Sequence, residues 1–437
     1  MLRFGTDGVR GVARREITPS AVQFFARAAA RALRCQGVVV GHDPRESSPD
    51  LARAVAEGFR IEGVDVDFVG MAPTPALAYL AQRAGVAAAV ITASHNPYTD
   101  NGLKLFRTGG TKLNDDEEDA IQRIYEELVS ARTQFVEPGP LVGSMSLDAY
   151  VDHIVAGGLD VVRGTRVVVD CANGAMSAVA AQVLSRLGVE ARLFNAEPNG
   201  TNINVACGAA HPDALVALVR NMDCDLGVAF DGDGDRLIAA TPAGDIVDGD
   251  HLIALSALDM KARGLLVNDA VVVTVMSNIG FHRAMSDAGI AVHTTPVGDR
   301  SVLIELERSG AVLGGEQSGH IIHRGRATTG DGLLAAVELL SMLGRSGRVF
   351  ADAANEAMTA YPQVLINVEV SGDAKKVAEA CASVVLAAER ELADRGRILV
   401  RPSGTEPLLR VMVEAEDDDS ARRIAQRIAE YAAGVQG

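Results

Sequence analysis

Leu226-Gly227-Val228-Ala229-Phe230 runs directly into Asp231-Gly232-Asp233-Gly234-Asp235-Arg236, and Leu237 then opens a second apolar run. A short apolar stretch bounded by turn residues reads as a buried strand feeding a tight polar loop. Three carboxylates alternate with glycines in that loop, and the glycines let the backbone bend so that the side chains converge. Three near-adjacent negative charges are costly unless a cation neutralises them, and hard oxygen donors suit Mg²⁺ or Mn²⁺. An acidic surface turn is the competing reading, and the apolar strand just before the loop disfavours it. A calcium-binding helix-loop-helix is excluded: its sixth place requires glycine and holds Arg236, and its twelfth holds Pro242 instead of glutamate.

The same step recurs on both sides. First strands are expected at Val38–Val40, Arg166–Asp170 and Ala270–Val275, each followed by a helix-like stretch. Second strands are expected to begin at Gly63, Gly188 and Gly289. Third strands, at Ala87–Ile91, Leu226–Phe230 and Ala311–Leu313, each enter a polar loop. The other two loops are Thr92-Ala93-Ser94-His95-Asn96-Pro97 and Gly315-Glu316-Gln317-Ser318-Gly319-His320. Strands alternating with helices argue for α/β domains, here three alike with mixed sheets. Ligands of open α/β sheets sit beyond the carboxyl ends of the strands, where these loops fall.

From Tyr361 the texture changes. A strand at Val364–Val370, a helix over Ala374–Ala393, a strand at Ile398–Val400, an alternating strand at Leu408–Glu414 and a helix from Ser420 predict a smaller α+β domain. The expected domains are 1–143, carrying the serine loop; 144–249, carrying the aspartate loop; 250–360, carrying the loop with Glu316; and 361–437.

Composition narrows the function. The 437 residues hold 41 Lys plus Arg against 57 Asp plus Glu, a net charge of −16, and no Trp. Such a body repels nucleic acid and anionic membranes, and aromatic platforms for bases are scarce. No apolar run is long enough to span a bilayer, and the N-terminal residues lack a signal-peptide core. Five scattered cysteines without a CxxC pair read as reduced thiols. The expectation is a soluble cytoplasmic protein with a small-molecule substrate, no nucleic-acid partner and no membrane partner.

Other residues carry chemistry. Ser94, at a strand end beside His95, reads either as a nucleophile or as a turn cap; the G-x-S-x-G elbow of ester hydrolases is absent around it. Lys104 reads as a partner of Ser94 or as a solvated strand lysine. Glu316, Ser318 and His320 alternate on a glycine-bounded loop: the first two suit vicinal sugar hydroxyls, His320 suits proton transfer, and a plain hairpin turn is the alternative. Arg401-Pro402-Ser403-Gly404-Thr405-Glu406-Pro407, with Arg410 just beyond, combines a guanidinium fork, hydroxyls and backbone N–H groups suited to a phosphate, or else forms a turn with an exposed arginine. No nucleotide P-loop sequence occurs.

Together with Phe4-Gly5-Thr6-Asp7-Gly8-Val9-Arg10-Gly11 and Asp100-Asn101-Gly102-Leu103-Lys104, these loops resemble, end to end, the α-D-phosphohexomutases. Asp7 and the Glu316–His320 loop tilt the resemblance toward the branch acting on glucosamine phosphates. The resemblance implies four domains around a central cleft. It implies that Ser94 carries the transferable phosphoryl group and that Mg²⁺ is bound by the Ser94 phosphate with Asp231, Asp233 and Asp235. Arg10, His95, Lys104 and His320 would surround that phosphoryl group. Glu316 and Ser318 would hold the sugar hydroxyls, and Arg401, Ser403, Gly404, Thr405 and Arg410 the other phosphate. The implied reaction interconverts glucosamine 6-phosphate and 1-phosphate through a hexose 1,6-bisphosphate, feeding UDP-N-acetylglucosamine and cell-wall precursors; a homodimer is admitted. Rival readings are glucose or mannose phosphates as substrates, a metal-dependent sugar phosphatase, and a non-catalytic phosphosugar-binding protein.

Overall fold

Three sheets repeat one connection. The first holds β1 (Val9–Val12), β2 (Gly37–His42), β3 (Asp65–Met71), β4 (Ala87–Ile91), β5 (Asp100–Arg107) and β6 (Thr111–Lys112), in the order β1-β5-β4-β2-β3 with β6 on β5. The second holds β7 (Arg166–Asp170), β8 (Glu190–Phe194), β9 (Leu226–Phe230), β10 (Leu237–Ala240) and β11 (Ile246–Val247), in the order β11-β10-β9-β7-β8. The third holds β12 (Ala270–Thr274), β13 (Ala291–Thr295), β14 (Leu313–Gly315) and β15 (Ile321–His323), in the order β13-β12-β14-β15. Each time a first strand pairs parallel with both the second and the third, and the third pairs antiparallel with a fourth. The polar loops of the sequence are the turns between third and fourth strands, so the repeated connection delivers all three of them.

The computed structural model describes residues 2–5, 7–370, 372–403 and 408–435, which fall into two units. One comprises 1–276 and 290–357, the other 277–289 and 358–437. Helices cover the sheets of the first unit with short apolar side chains, as a chain without Trp must. Phe25, Ala29, Val40, Leu51, Val55 and Ile91 pack in one core and Val39, Leu77, Ala81 and Val90 in another, on the opposite faces of β2. Helix starts follow capping chemistry: Thr18 caps Pro19–Leu33, Asp248 caps Gly249–Ala262 and Asp331 caps Gly332–Ser346, each side chain accepting a first-turn N–H.

The second unit has an antiparallel sheet of β16 (Gln363–Glu369), β17 (Gly396–Pro402) and β18 (Leu408–Ala415), with β18 central. The helix Asp418–Gly434 buries Ile424, Ala425 and Ile428 in its core. Ile279–Asp287 belongs to this unit as well: Glu414, buried in β18, accepts from Ile279 N at 2.8 Å and pairs with Arg397 at 2.9 Å. A carboxylate at a helix N-terminus is favoured by the exposed N–H groups there.

Three expectations shift. The second strands begin at Asp65, Glu190 and Ala291, because Gly63, Gly188 and Gly289 occupy left-handed turns before them. The third strand of the third sheet is Leu313–Gly315, not Ala311–Leu313. Gly315 reads as the start of the loop, yet Gly314 and Gly315 pair with Val272 and Val273, and glycine is needed at 314 because any Cβ there would stand 2.6 Å from Val272 O. The long helix over 374–393 is two helices, Ala374–Ala380 and Ala382–Leu392, meeting at Cys381. All five cysteines are buried and free.

Candidate active site

The turns after β4 and β9 meet. Ser94 Oγ donates to Asp231 Oδ2 at 2.6 Å and lies 3.3 Å from His95 Nδ1. Ser94 is buried, with a left-handed φ of 51°. That region is costly for a residue with a Cβ and persists only where the surroundings enforce it. The close approach needs Gly232, where any Cβ would fall 2.5 Å from Ser94 O.

Asp231, Asp233 and Asp235 are all buried, and each offers an oxygen within 4.8 Å of the other two. Asp233 Oδ2 accepts from Thr74 Oγ1 at 2.6 Å and from Lys104 Nζ at 2.7 Å. Asp235 Oδ2 lies 3.1 Å from Lys104 Nζ. Asp233 Oδ1 and Asp235 Oδ1 are buried and receive no hydrogen bond. Anionic hard oxygens converging with lone pairs unused are what a divalent cation requires, so this trio can hold a metal. The electrostatics agree: burial and the neighbouring Asp235 and Asp233 hold Asp231 well above the usual carboxylate range. Burial also works against Asp235, but Lys104, His320 and Arg236 overcome it and hold Asp235 well below that range.

Lys104 reaches the cluster from β5 because its neighbours Leu103 and Leu105 point into the core, leaving alternate side chains for the other face. Burial disfavours its charge, yet Asp233, Asp235 and Asp7, the last at 2.7 Å, raise its pKa well above the ordinary lysine value. Lys104 is therefore a fixed cation. Asp7 also takes Arg10 at 2.9 Å and pairs with Lys112, which pairs in turn with Asp299. His320, on the turn after β14, has Nδ1 3.7 Å from Asp235 and Nε2 3.8 Å from Asp299. Burial opposes its protonation, while Asp235 and then Asp299 favour it and raise the pKa. Gly330 N–H points at Nε2 from 3.2 Å, so the neutral ring is assigned its proton on Nδ1. His95 goes the other way: burial, Arg236 and Arg10 lower it to about 4, leaving it neutral at physiological pH.

Ser94, His95, Lys104, Arg10, His320 and the three aspartates thus form one connected network. Glu316 shares the His320 turn, and its Oε1 accepts Gly298 N–H at 3.0 Å; Ser318 is exposed. Arg236 N donates to Asp231 Oδ1 at 3.2 Å, and Asn96 staples its own loop through Asp100 at 3.0 Å. In the second unit Arg401 and Arg410 stand directly opposite on β17 and β18, with Ser403 following β17. Burial and Arg410 lower the pKa of Arg401. Like charges directly opposite across two strands are destabilising. Gly404 and Thr405 lie outside the described residues.

Sequence reading missed Asp43, Arg45, Thr74, Lys112, Asn204 and Asp299. Each stands in an unremarkable context, and Thr74 meets Asp233 across a separation of 159 residues. The one available signal was Asp43-Pro44-Arg45, a charged pair at the end of β2, where α/β sheets place functional groups.

Comparison with known proteins assigns the class. Models of the phosphoglucomutase/phosphomannomutase family match in sequence: α/β/α domain I at residues 1–132, domain II at 148–244, domain III at 248–361 and the C-terminal domain at 365–431. The chain belongs to that family and is an isomerase of the phosphohexomutase class. Among individual relatives, it is 47% identical to a phosphoglucosamine mutase of Saccharopolyspora erythraea, covering 99% of each chain, and 46% identical to one of Frankia alni, covering 98% and 97%. A solved phosphoglucomutase/phosphomannomutase family protein of Burkholderia thailandensis superposes with a TM-score of 0.81 at 29% identity, covering 98% and 97%. The N-acetylphosphoglucosamine mutase of Aspergillus fumigatus, solved with GlcNAc-6P and magnesium, shares the fold with a TM-score of 0.73 at 17% identity, covering 100% of this chain and 96% of that one. Among the described residues, no helix is long and apolar enough to cross a membrane.

Proposed function

We propose that the chain interconverts glucosamine 6-phosphate and glucosamine 1-phosphate, with Ser94 as the phosphoryl carrier. The observation that carries this reading is the contact of Ser94 Oγ with Asp231 at 2.6 Å, at the mouth of a carboxylate trio with unused lone pairs. The similarity to phosphoglucosamine mutases over nearly the whole chain supports the choice of sugar.

Phosphoryl transfer is chiefly positioning and charge neutralisation. Asp231, Asp233 and Asp235 would hold Mg²⁺ together with the Ser94 phosphate. When bound, that ion neutralises phosphoryl oxygens as a Lewis acid. Arg10 and the fixed cation Lys104 stabilise the charge that develops during transfer, and neutral His95 lies beside Oγ. The phosphorus–Oγ bond breaks as a bond to the free sugar hydroxyl oxygen forms, and the hydroxyl proton ends on Ser94 Oγ, which leaves as a neutral hydroxyl, with His320 assisting the proton transfer. The product is hexose 1,6-bisphosphate, which is also the activator. After it turns over, its other phosphate returns to Ser94. Glu316 and Ser318 read the ring, and Glu316 supplies the negative potential that an ammonium at the 2-position prefers over a hydroxyl. Arg401, Ser403, Gly404, Thr405 and Arg410 grip the phosphate that is not reacting. The reading carries with it domains at 1–143, 144–249, 250–360 and 361–437, a cytoplasmic location and supply of amino-sugar precursors for the cell wall. Mass spectrometry of the Ser94 peptide after incubation with glucose 1,6-bisphosphate tests it: phosphate on Ser94 is expected, and turnover with Ser94 unmodified would refute the carrier.

A further inference from the structure

Arg45 is the largest fully buried side chain in the described residues, and it touches no member of the carboxylate trio. Its guanidinium has five N–H donors. Nε donates to Asp43 Oδ2 at 2.7 Å. Nη2 donates to Ser94 O at 2.8 Å and to Asn96 O at 2.9 Å. Nη1 donates to Asp100 O at 3.0 Å and to Pro97 O. One buried fork thus gathers three carbonyls of the serine loop and that of Asp100, the first residue of β5. Its counter-ion holds the other side of the same residue: Asp43 Oδ2 accepts from Thr92 Oγ1 at 2.8 Å, and Thr92 Oγ1 accepts from Ser94 N at 2.9 Å. Asn204 adds a second donor to Ser94 O at 2.9 Å. Both backbone polar groups of Ser94 are therefore tied to one ion pair.

Ser94 needs such ties, because its left-handed φ of 51° is unfavourable for a serine. Carbonyls curled toward a single point also repel one another unless a cation sits among them. We propose that the Asp43–Arg45 pair is the positioning device of the phosphoryl carrier: through Thr92 and the loop carbonyls it holds Ser94 in the strained conformation that aims Oγ at Asp231. Arg45 acts through Ser94 and does not touch substrate. The geometry of the fork, not the positive charge alone, is what the reaction requires. A lysine offers three donors from one point and cannot span the four carbonyls while also holding Asp43.

The proposal rests on Ser94 as carrier, and the test separates the two. Arg45→Lys and Thr92→Val are compared with the wild-type chain for mutase kcat and KM, for the rate of Ser94 phosphorylation by glucose 1,6-bisphosphate read by intact mass, and for thermal unfolding. Thr92→Val keeps the shape and removes the hydroxyl that links Ser94 N to Asp43. Misplacing a reacting group by about 1 Å costs on the order of 10²-fold. Arg45→Lys is expected to lower kcat and the phosphorylation rate by about that factor, and Thr92→Val by about tenfold, with KM for the hexose phosphate within threefold of wild type. Near-wild-type kcat in a folded Arg45→Lys overturns the proposal. So does a loss that appears wholly in KM, or that matches the unfolded fraction. If Arg45→Lys does not fold, Thr92→Val decides, and an unchanged kcat there overturns the proposal. A wild-type chain that turns over with no phosphate on Ser94 removes the carrier itself and so overturns both.

Discussion

Ser94 Oγ and Asp231 Oδ2 lie 2.6 Å apart although 137 residues separate them in the chain. The contact joins two of the turns that the repeated strand connection delivers, and it puts the Ser94 hydroxyl against the metal-competent loop. Ser94→Ala removes the acceptor of the phosphoryl group and little else, since the backbone ties of the residue remain. The variant is expected to fold with an unchanged melting temperature and to lose mutase activity by at least about 10³-fold. Activity within tenfold of wild type would exclude Ser94 as carrier.

Asp233 provides the test of the metal. Divalent binding to the native state raises stability by about 2.7 kcal/mol when the ion is at a hundred times its Kd. Titrating Mg²⁺ into the metal-free wild type is expected to raise its melting temperature in a saturable way. Asp233→Asn, which keeps a partner for Thr74, is expected to lose both that rise and the activity that Mg²⁺ restores after chelation. An identical Mg²⁺-dependent rise in the variant would place the ion elsewhere.

These two features were legible in sequence because each is local. Alternating aspartate and glycine after an apolar strand is a pattern of adjacent residues, and the serine turn follows a strand of the same kind. The threefold repeat was legible for the same reason: β4, β9 and the turns after them depend on short-range chemistry. What supports the site was not legible. Arg45, Thr74, Lys112 and Asn204 act through contacts between residues far apart in the chain, and alone each looks like an ordinary loop, strand-end or helix-end residue. The third strand of the third sheet lies two residues later than the sequence suggests, because Gly314 and Gly315 argue for a turn unless the neighbouring Val272 carbonyl is known to leave no room for a Cβ.

Lys104 is buried among Asp233, Asp235 and Asp7. Truncating one member of such a network leaves uncompensated buried charge, typically at a cost of about 3–5 kcal/mol. Lys104→Met is expected to lose stability of that order at pH 7 as well as activity, and added Mg²⁺ to recover part of the stability. Denaturant unfolding with and without the ion measures both. A variant as stable as wild type in chelator would show that the aspartates need no counter-charge.

Asp331 predicts a pH effect away from the chemistry. It caps the helix Gly332–Ser346 and accepts the Tyr150 hydroxyl at 2.9 and 3.0 Å, and burial raises its pKa to about 6. Its folded pKa lies above that of an ordinary aspartate, so its contribution to stability is complete below about pH 4 and is lost as pH rises through 6. Asp331→Asn keeps a cap and an acceptor without the charge. Relative to wild type the variant is expected to gain stability between pH 4 and 7, by at most about 3 kcal/mol. Urea unfolding of both proteins across that range checks it, and a gap that narrows as pH rises would reverse the sign.

Arg410 faces Arg401 across β17 and β18. A phosphate grip reads the group common to all substrates, and a lost charge-assisted hydrogen bond typically costs about 1.5–3 kcal/mol. Arg410→Ala is expected to weaken glucosamine, glucose and mannose 6-phosphates by similar factors in calorimetric titrations. An effect confined to one sugar would make Arg410 a reader of the ring.

Phosphorus NMR of glucosamine 6-phosphate incubated with the protein, Mg²⁺ and a trace of glucose 1,6-bisphosphate tests the central claim most directly, because it follows every phosphorus atom at once. The account predicts growth of the glucosamine 1-phosphate signal to a steady ratio with no inorganic phosphate, faster than the same experiment run on glucose or mannose 6-phosphate. Inorganic phosphate as the main product, or a 6-phosphate signal that never changes, would contradict it.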